Sequence, residues 1–267
     1  MQLKVILNRV LKIKSFVYGG VRWAEGEGEP TIEIEVRERA KSRPECSGCG
    51  RRGAGYDRLG ERRFEFIPFW GIKVFFLYAP RRVNCPRCGV KVERMPWATG
   101  KHRLSNAYAW YLAGWGKRLS WKEVAEVFHT TWDHVFHSVE MAVQWGRKHM
   151  ELTNIEAIGI DEIQWQRGHK YLTLVYQIDA HCKRLLWIGK KRKVKTLLGF
   201  FRWFGKERSE SLSFICSDMW KPYLKVIARK AGQAIHVLDR FHIMSPRTCS
   251  GDEVRATEAR DLKVKGY

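Results

Sequence analysis

Two cysteine knuckles, Cys46-Ser-Gly-Cys49-Gly and Cys85-Pro-Arg-Cys88-Gly, constrain this chain more than any other feature. Each C-x-x-C pair can present two thiolates to one ion, and the trailing glycine permits a tight backbone turn. Four thiolates suit tetrahedral zinc, and with every position filled by protein such an ion is structural, not catalytic. The 35 residues between the knuckles exceed the usual ribbon spacing. Residues 62–67 and 73–78 read as a hairpin turned at Pro68 and Gly71, which brings its ends, and so both cysteine pairs, together. Ordinary thiols or a redox C-x-x-C are the competing readings. Cys182, Cys216 and Cys249 are isolated in the sequence, which fits a cytosolic chain with metal binding plus buried thiols.

Charge narrows the partner. The 267 residues carry a formal +21, with a pI near 9.9, a field whose simplest counterpart is a polyanion such as DNA or RNA; an anionic membrane surface ranks second. A hydrophobic share of 45% argues for folded domains in spite of 29% charged residues. No run approaches the ~20 apolar residues of a spanning helix, and no signal peptide is visible. The expected location is therefore the cytoplasm, associated with the nucleoid, with no membrane partner.

Thr31-Ile-Glu-Ile-Glu-Val36 alternates as a half-buried strand does. From about 102 the period becomes helical. Ser120-Trp-Lys-Glu123 has the form of a capping box, and after a break at Phe128–Thr130 apolar residues recur at Trp132, Val135, Phe136, Val139, Ala142 and Val143. Two helices meeting at a tight turn suggest a helix-turn-helix, with Trp132 and Phe136 in its core. The opposite face of the second helix carries Asp133, His134, His137, Ser138 and Gln144, within reach of bases or phosphates, while Lys101, Arg103, Lys117 and Arg118 supply charge for the DNA backbone. An ordinary helical hairpin packing its own core has the same spacing.

From about 155 onward strands and helices alternate as in a mixed α/β sheet. Gly159-Ile-Asp161-Glu162 sets an acid at the end of an apolar strand, and Ser217-Asp218-Met-Trp220 does so 57 residues later. Strand-end carboxylates can hold a pair of hard cations for phosphoryl transfer, although acids also follow strands as turn residues or caps. The order of these motifs, closing with Asp239-Arg-Phe-His-Ile243, resembles the insertion-sequence DDE transposases with an N-terminal zinc-binding domain and helix-turn-helix, the ISL-three-like group. The resemblance runs to about Met244. It implies a ribonuclease-H-like fold, with Asp161 and Asp218 as the first two metal-binding acids holding Mg2+ or Mn2+. The implied activity is DNA transposition, in which terminal repeats are bound, cleaved and joined to target DNA. Glu162 should face away from Asp161 and is left out of the triad. Asp179 reads as a hairpin turn residue, Asp239 and His242 as structural or positioning residues, and Lys190–Lys193 as either a DNA contact or a solvated surface.

The family's third acid, a glutamate, lies well downstream of the Asp239 motif, whereas only 24 residues follow Ile243. Glu253 and Glu258 sit in a charged segment that matches a different part of the family, and Pro246 and Gly251 interrupt a stretch where the family continues a helix. The expected architecture is multidomain α+β: residues 1–100 with a four-cysteine, zinc-ribbon-like domain, 101–152 with a helix-turn-helix, and 153–267 as an incomplete ribonuclease-H-like domain. The expected function is DNA binding with little or no strand transfer alone, in a homo-oligomeric DNA complex. A non-catalytic remnant or regulator of transposition, and an RNA-binding or ribonuclease protein, are the alternatives.

Overall fold

The computed structural model describes residues 3–24, 30–100 and 102–238, and the chain divides into two compact units, Met1–Met150 and Glu151–Tyr267. The first unit runs α1 (Leu3–Val10), β1 (Phe16–Ala24), β2 (Thr31–Glu38), β3 (Ala54–Arg58), β4 (Arg62–Phe69), β5 (Ile72–Tyr78), β6 (Arg81–Cys85), β7 (Gly89–Val92), α2 (Asn106–Trp115), α3 (Trp121–Val127) and α4 (Trp132–Lys148). The second runs β8 (Ala157–Gln166), β9 (Lys170–Asp179), β10 (Cys182–Lys190), α5 (Val194–Phe204), α6 (Lys206–Glu210), β11 (Phe214–Ser217), α7 (Lys221–Lys230) and β12 (Ile235–Leu238). The segment holding Asp239, His242, Ser245–Gly251, Glu253 and Glu258 lies outside the described residues, as does Lys101.

In the first unit one sheet has the order β1-β2-β5-β4, with β2 and β5 parallel. The alternation in β2 buries Ile32, Ile34 and Val36. The core gathers around Trp97, which is 1% exposed and meets Phe16, Tyr78 and Phe64 edge-on with ring centroids 4.8, 5.3 and 6.1 Å away. Such pairs add to the large apolar area each ring removes from water. The expected hairpin forms, but its turn is Trp70-Gly71, both at positive φ, as a tight two-residue connection demands. Pro68 instead lies within β4, where the register with β5 shifts between Phe66 and Phe69, a position that tolerates a missing N–H.

A second sheet, β3-β6-β7, closes the excursion between the knuckles: β3 pairs antiparallel with β6, and Cys46 bridges to Glu93 just past β7. The helices belong to the same compact unit. The Glu65 carbonyl on β4 accepts Ser105 N–H at 2.8 Å, and Glu65 donates its own N–H to Arg103 O at 2.7 Å, which ties the lead-in of α2 to the sheet. Leu104, Tyr108, Leu112, Val124 and Val135 then form the core shared by the three helices.

The second unit is a five-stranded sheet of order β10-β9-β8-β11-β12, antiparallel across β10-β9-β8 and parallel across β8-β11-β12. The parallel pairs need crossovers, which α5 with α6 and then α7 provide. Leu197, Phe200, Phe201 and Phe204 of α5 and Tyr223, Val226 and Ile227 of α7 are buried, as are Ile158, Ile160 and Ile215 on the central strands. Asp179 ends β9 with its carboxylate buried, accepting Ala157 N–H at 3.0 Å and Gln177 Nε2 at 2.7 Å. It thus fastens the start of β8.

Trp97→Ala should destabilise the first unit by about 3–5 kcal/mol, measured by urea unfolding. Trp70→Ala, which removes a side chain 91% exposed, should leave the midpoint within about 0.5 kcal/mol.

Candidate functional site

The four knuckle sulfurs are the best-defined cluster. All lie within 4.8 Å of one another, with Cys46 and Cys85 buried, and Cys49 Sγ and Cys85 Sγ are 3.5 Å apart. Zinc–sulfur bonds of ~2.3 Å in a tetrahedron require sulfurs about 3.8 Å apart, so the donor set fits that ion. Hydrogen bonds from the backbone N–H groups of Arg87 and Cys88 hold the Cys85 thiol down to about 7, while its neighbour Cys88 is pushed up to about 12, chiefly by its hydrogen bond with Cys49. The fold supplies these donors because β6 and β7 turn tightly through Cys85–Cys88 to Gly89, whose φ is +71°, a conformation glycine adopts without strain.

The helical region starts where its caps dictate. Ser120 Oγ accepts Glu123 N–H at 3.3 Å and Glu123 Oε2 accepts Ser120 N–H at 2.8 Å, the reciprocal pair of a capping box, and Thr131 Oγ1 caps α4 by accepting His134 N–H at 3.2 Å. On α4 the expected DNA-facing residues divide. His137 is exposed, and His134 is half-buried, lowered from its ordinary pKa by that burial and within 2.9 Å of Thr130 Oγ1. Ser138, expected to face DNA, is instead 1% exposed and donates its hydroxyl to His134 O at 2.6 Å, so its donor is used within its own helix. Conversely Trp132, expected in the core, is 48% exposed and stacks on Phe136, because the short α3 covers only part of the stripe. Arg103, Lys117 and Arg118 are exposed. His102, Arg103, His134, His137 and Gln144 share the lining of a recess of about 430 Å³.

The acids sit where β8 and β11 run side by side. Their parallel register runs from Ala157 with Phe214 through Ile160 with Ser217, and Asp161 and Asp218 are the residues that follow the last pair on each strand. β8 does not end at Asp161, as the sequence suggested, but continues to Gln166. Asp161 is exposed and accepts Glu162 N–H at 2.7 Å. By strand alternation it shares the face of Gly159, and Glu162 shares the opposite face with Ile160. Asp218 accepts Trp220 N–H at 3.0 Å and pairs with the Arg192 guanidinium, whose Nε is 3.5 Å from Glu162.

A family model described as a transposase, the DDE type of the ISL3 group, matches residues 158–267. Residues 158–267 thus resemble a DDE transposase domain. Over 253 residues, 90% of its length, it is 29% identical to the transposase for insertion sequence element IS1557 of Mycobacterium tuberculosis, and over 245 residues, 91% of its length, it is 26% identical to the transposase for insertion sequence element IS1001 of Bordetella parapertussis. Those alignments take in 54% and 59% of the two relatives, so the chain spans a little over half of their length. No helix among the described residues is long and apolar enough to cross a membrane.

Within the second unit, the sequence alone sets Glu162 aside because alternation turns it from Asp161. The alternation is observed, yet the face it selects is the one from which Arg192 reaches Asp218. Arg192 itself was folded into the run Lys190–Lys193. Only the three-dimensional path of the turn after β10 separates it from its exposed neighbours Lys190, Lys191 and Lys193.

The cysteine cluster gives an expected metal content of about one zinc per chain, read by colorimetric release after thiol modification. Cys85→Ser and Cys88→Ser should lose that zinc and melt at lower temperature, whereas Cys182→Ser should keep it.

Proposed function

We propose that this chain works in DNA transposition, its first unit holding terminal-repeat DNA and its second the metal-dependent strand chemistry. The observation that supports the reading is the parallel β8–β11 pair, with Asp161 and Asp218 next in sequence after its last register pair, in a sheet order consistent with the ribonuclease-H-like fold. The net charge of +21 and the transposase match over residues 158–267 support a DNA partner. In this reading zinc bound by Cys46, Cys49, Cys85 and Cys88 stiffens the knuckles, α4 enters the major groove with His134 and His137 toward it, and Arg103, Lys117 and Arg118 neutralise phosphates. The protein acts at the nucleoid, as a homo-oligomer on paired element ends.

Asp161 and Asp218 are the proposed ligands of Mg2+ or Mn2+. Asp218 fits such an ion on one observation: its carboxylate, 12% exposed, already closes on a positive charge, that of Arg192. Bound there, a divalent cation supplies Lewis-acid polarisation of a scissile phosphate and activation of water. The chain's own part is to hold carboxylate oxygens on a rigid sheet, with Trp220 N–H fixing one Asp218 oxygen. The third carboxylate of the triad comes, in this reading, from outside the described residues. A second reading, a regulator that holds DNA without cutting it, draws on the same ion pair, since Asp218 is already neutralised.

With a labelled duplex carrying the element's terminal repeat, binding should weaken steeply as salt rises. Replacing Arg103, Lys117 and Arg118 by Ala should lower the slope of log K against log salt by about 1 per lost phosphate contact. Magnesium-dependent nicking abolished by Asp161→Ala and Asp218→Asn, with binding kept, supports the enzyme; binding with no nicking by the parent chain supports the regulator; no binding overturns both.

A further inference from the structure

Arg192 is the one member of the basic run 190–193 that turns inward. Lys191, at φ +75°, bends the chain after β10 and is pinned on both sides: its N–H donates to Tyr171 O at 2.8 Å, and its carbonyl accepts Thr173 Oγ1 at 3.1 Å. Thr173 Oγ1 in turn lies 2.8 Å from Tyr223 Oη on α7. The backbone before Arg192 is therefore fixed to β9 and, through Thr173, to α7. The guanidinium lies over the Trp220 ring, 4.7 Å from its centroid, and Trp220 packs edge-on against Tyr223 at 4.6 Å. From this seat it pairs with Asp218 and approaches Glu162.

Two carboxylates withdrawn this far from water repel each other and are poorly solvated, so they require a cation. A guanidinium supplies one positive charge. A divalent ion with oxygen ligands supplies two in a smaller volume, and the two cations repel strongly when they share a carboxylate in a partly desolvated site.

We propose that Arg192 is the resident counter-ion of a Glu162–Asp218 acid pair and that divalent metal and Arg192 exclude each other there, so that metal binding at Asp218 releases Arg192 from its seat on Trp220. The inference rests on the reading of Asp218 as a metal ligand and adds Glu162 to the site. Arg192 is here a positioning residue. It offsets the charge of the acid pair and holds it apart from stray cations until metal arrives, and once displaced it leaves a guanidinium at the mouth of the site, where a DNA phosphate would lie.

The test is Mn2+ binding to the zinc-loaded full chain without DNA, by isothermal titration and by loss of the free-ion electron paramagnetic resonance signal. Arg192→Gln should bind Mn2+ at least about tenfold more tightly than the parent chain, as expected when a competing charge is removed. Arg192→Lys, which keeps the charge, should stay near the parent value. Glu162→Gln should weaken binding in both the parent and the Arg192→Gln background. Should Arg192→Gln fold poorly because its acids lose their partner, Mn2+ should raise its melting temperature more than it raises that of the parent. Unchanged affinity in Arg192→Gln, with binding still lost in Asp218→Asn, would overturn the competition while leaving Asp218 as a ligand. Full Mn2+ affinity in the Arg192→Gln/Asp218→Asn double variant would overturn the metal reading of Asp218 itself.

Discussion

The parallel pairing of β8 with β11 is the constraint on which the catalytic reading depends. Four register pairs, Ala157 with Phe214 to Ile160 with Ser217, bring together two segments far apart in sequence, each followed directly by an acid. The pairing is held from one face by Ile158, Ile160 and Ile215, all essentially without solvent contact, and at its start by the Asp179 carboxylate on Ala157 N–H. A one-residue slip would turn every side chain of β8 to the other face and exchange the roles of Asp161 and Glu162. Side chains buried beneath α5 and α7 oppose such a slip. The helices thus serve the site indirectly, by fixing which carboxylate faces which neighbour.

The first unit solves a different problem. A domain with many arginines and lysines repels itself, and its stability falls to apolar packing and to the cross-links that hold loops. Trp97 supplies the packing, with Phe16, Phe64 and Tyr78 around it. The four sulfurs of the two knuckles gather within 4.8 Å of one another. Arg81 and Glu93 add a nearly buried ion pair that also accepts the Tyr78 hydroxyl, tying the small cysteine sheet to the larger one.

Local chemistry was legible in the sequence; packing across elements was not. The cysteine knuckles, the capping box at Ser120 and Glu123, the alternation in β2 and the β4–β5 hairpin all rest on spacing within a few residues, and each is found. The turn was misread at Pro68 because proline usually marks one, whereas here a register shift absorbs it in the strand. Ser138 and Trp132 exchanged their expected environments because the covering helix α3 has only seven residues, a length no periodicity in α4 reveals. Asp161 looked strand-terminal since the run Ala157–Ile160 is broken there by two acids, but the ladder with β9 carries β8 on to Gln166. Arg192 was hidden inside a charge run, where composition predicts a solvated surface and only the turn at Lys191 singles out one side chain.

The measurement that bears most directly on the site is anomalous diffraction from crystals of this chain soaked in manganese, with data collected near the manganese edge. The expected result is a peak about 2.1 Å from an Asp218 oxygen, with a second carboxylate from β8 on the same ion and Arg192 moved off the pair. Crystals saturated with manganese that show no peak at Asp218, with its carboxylate still closed by Arg192, would contradict it.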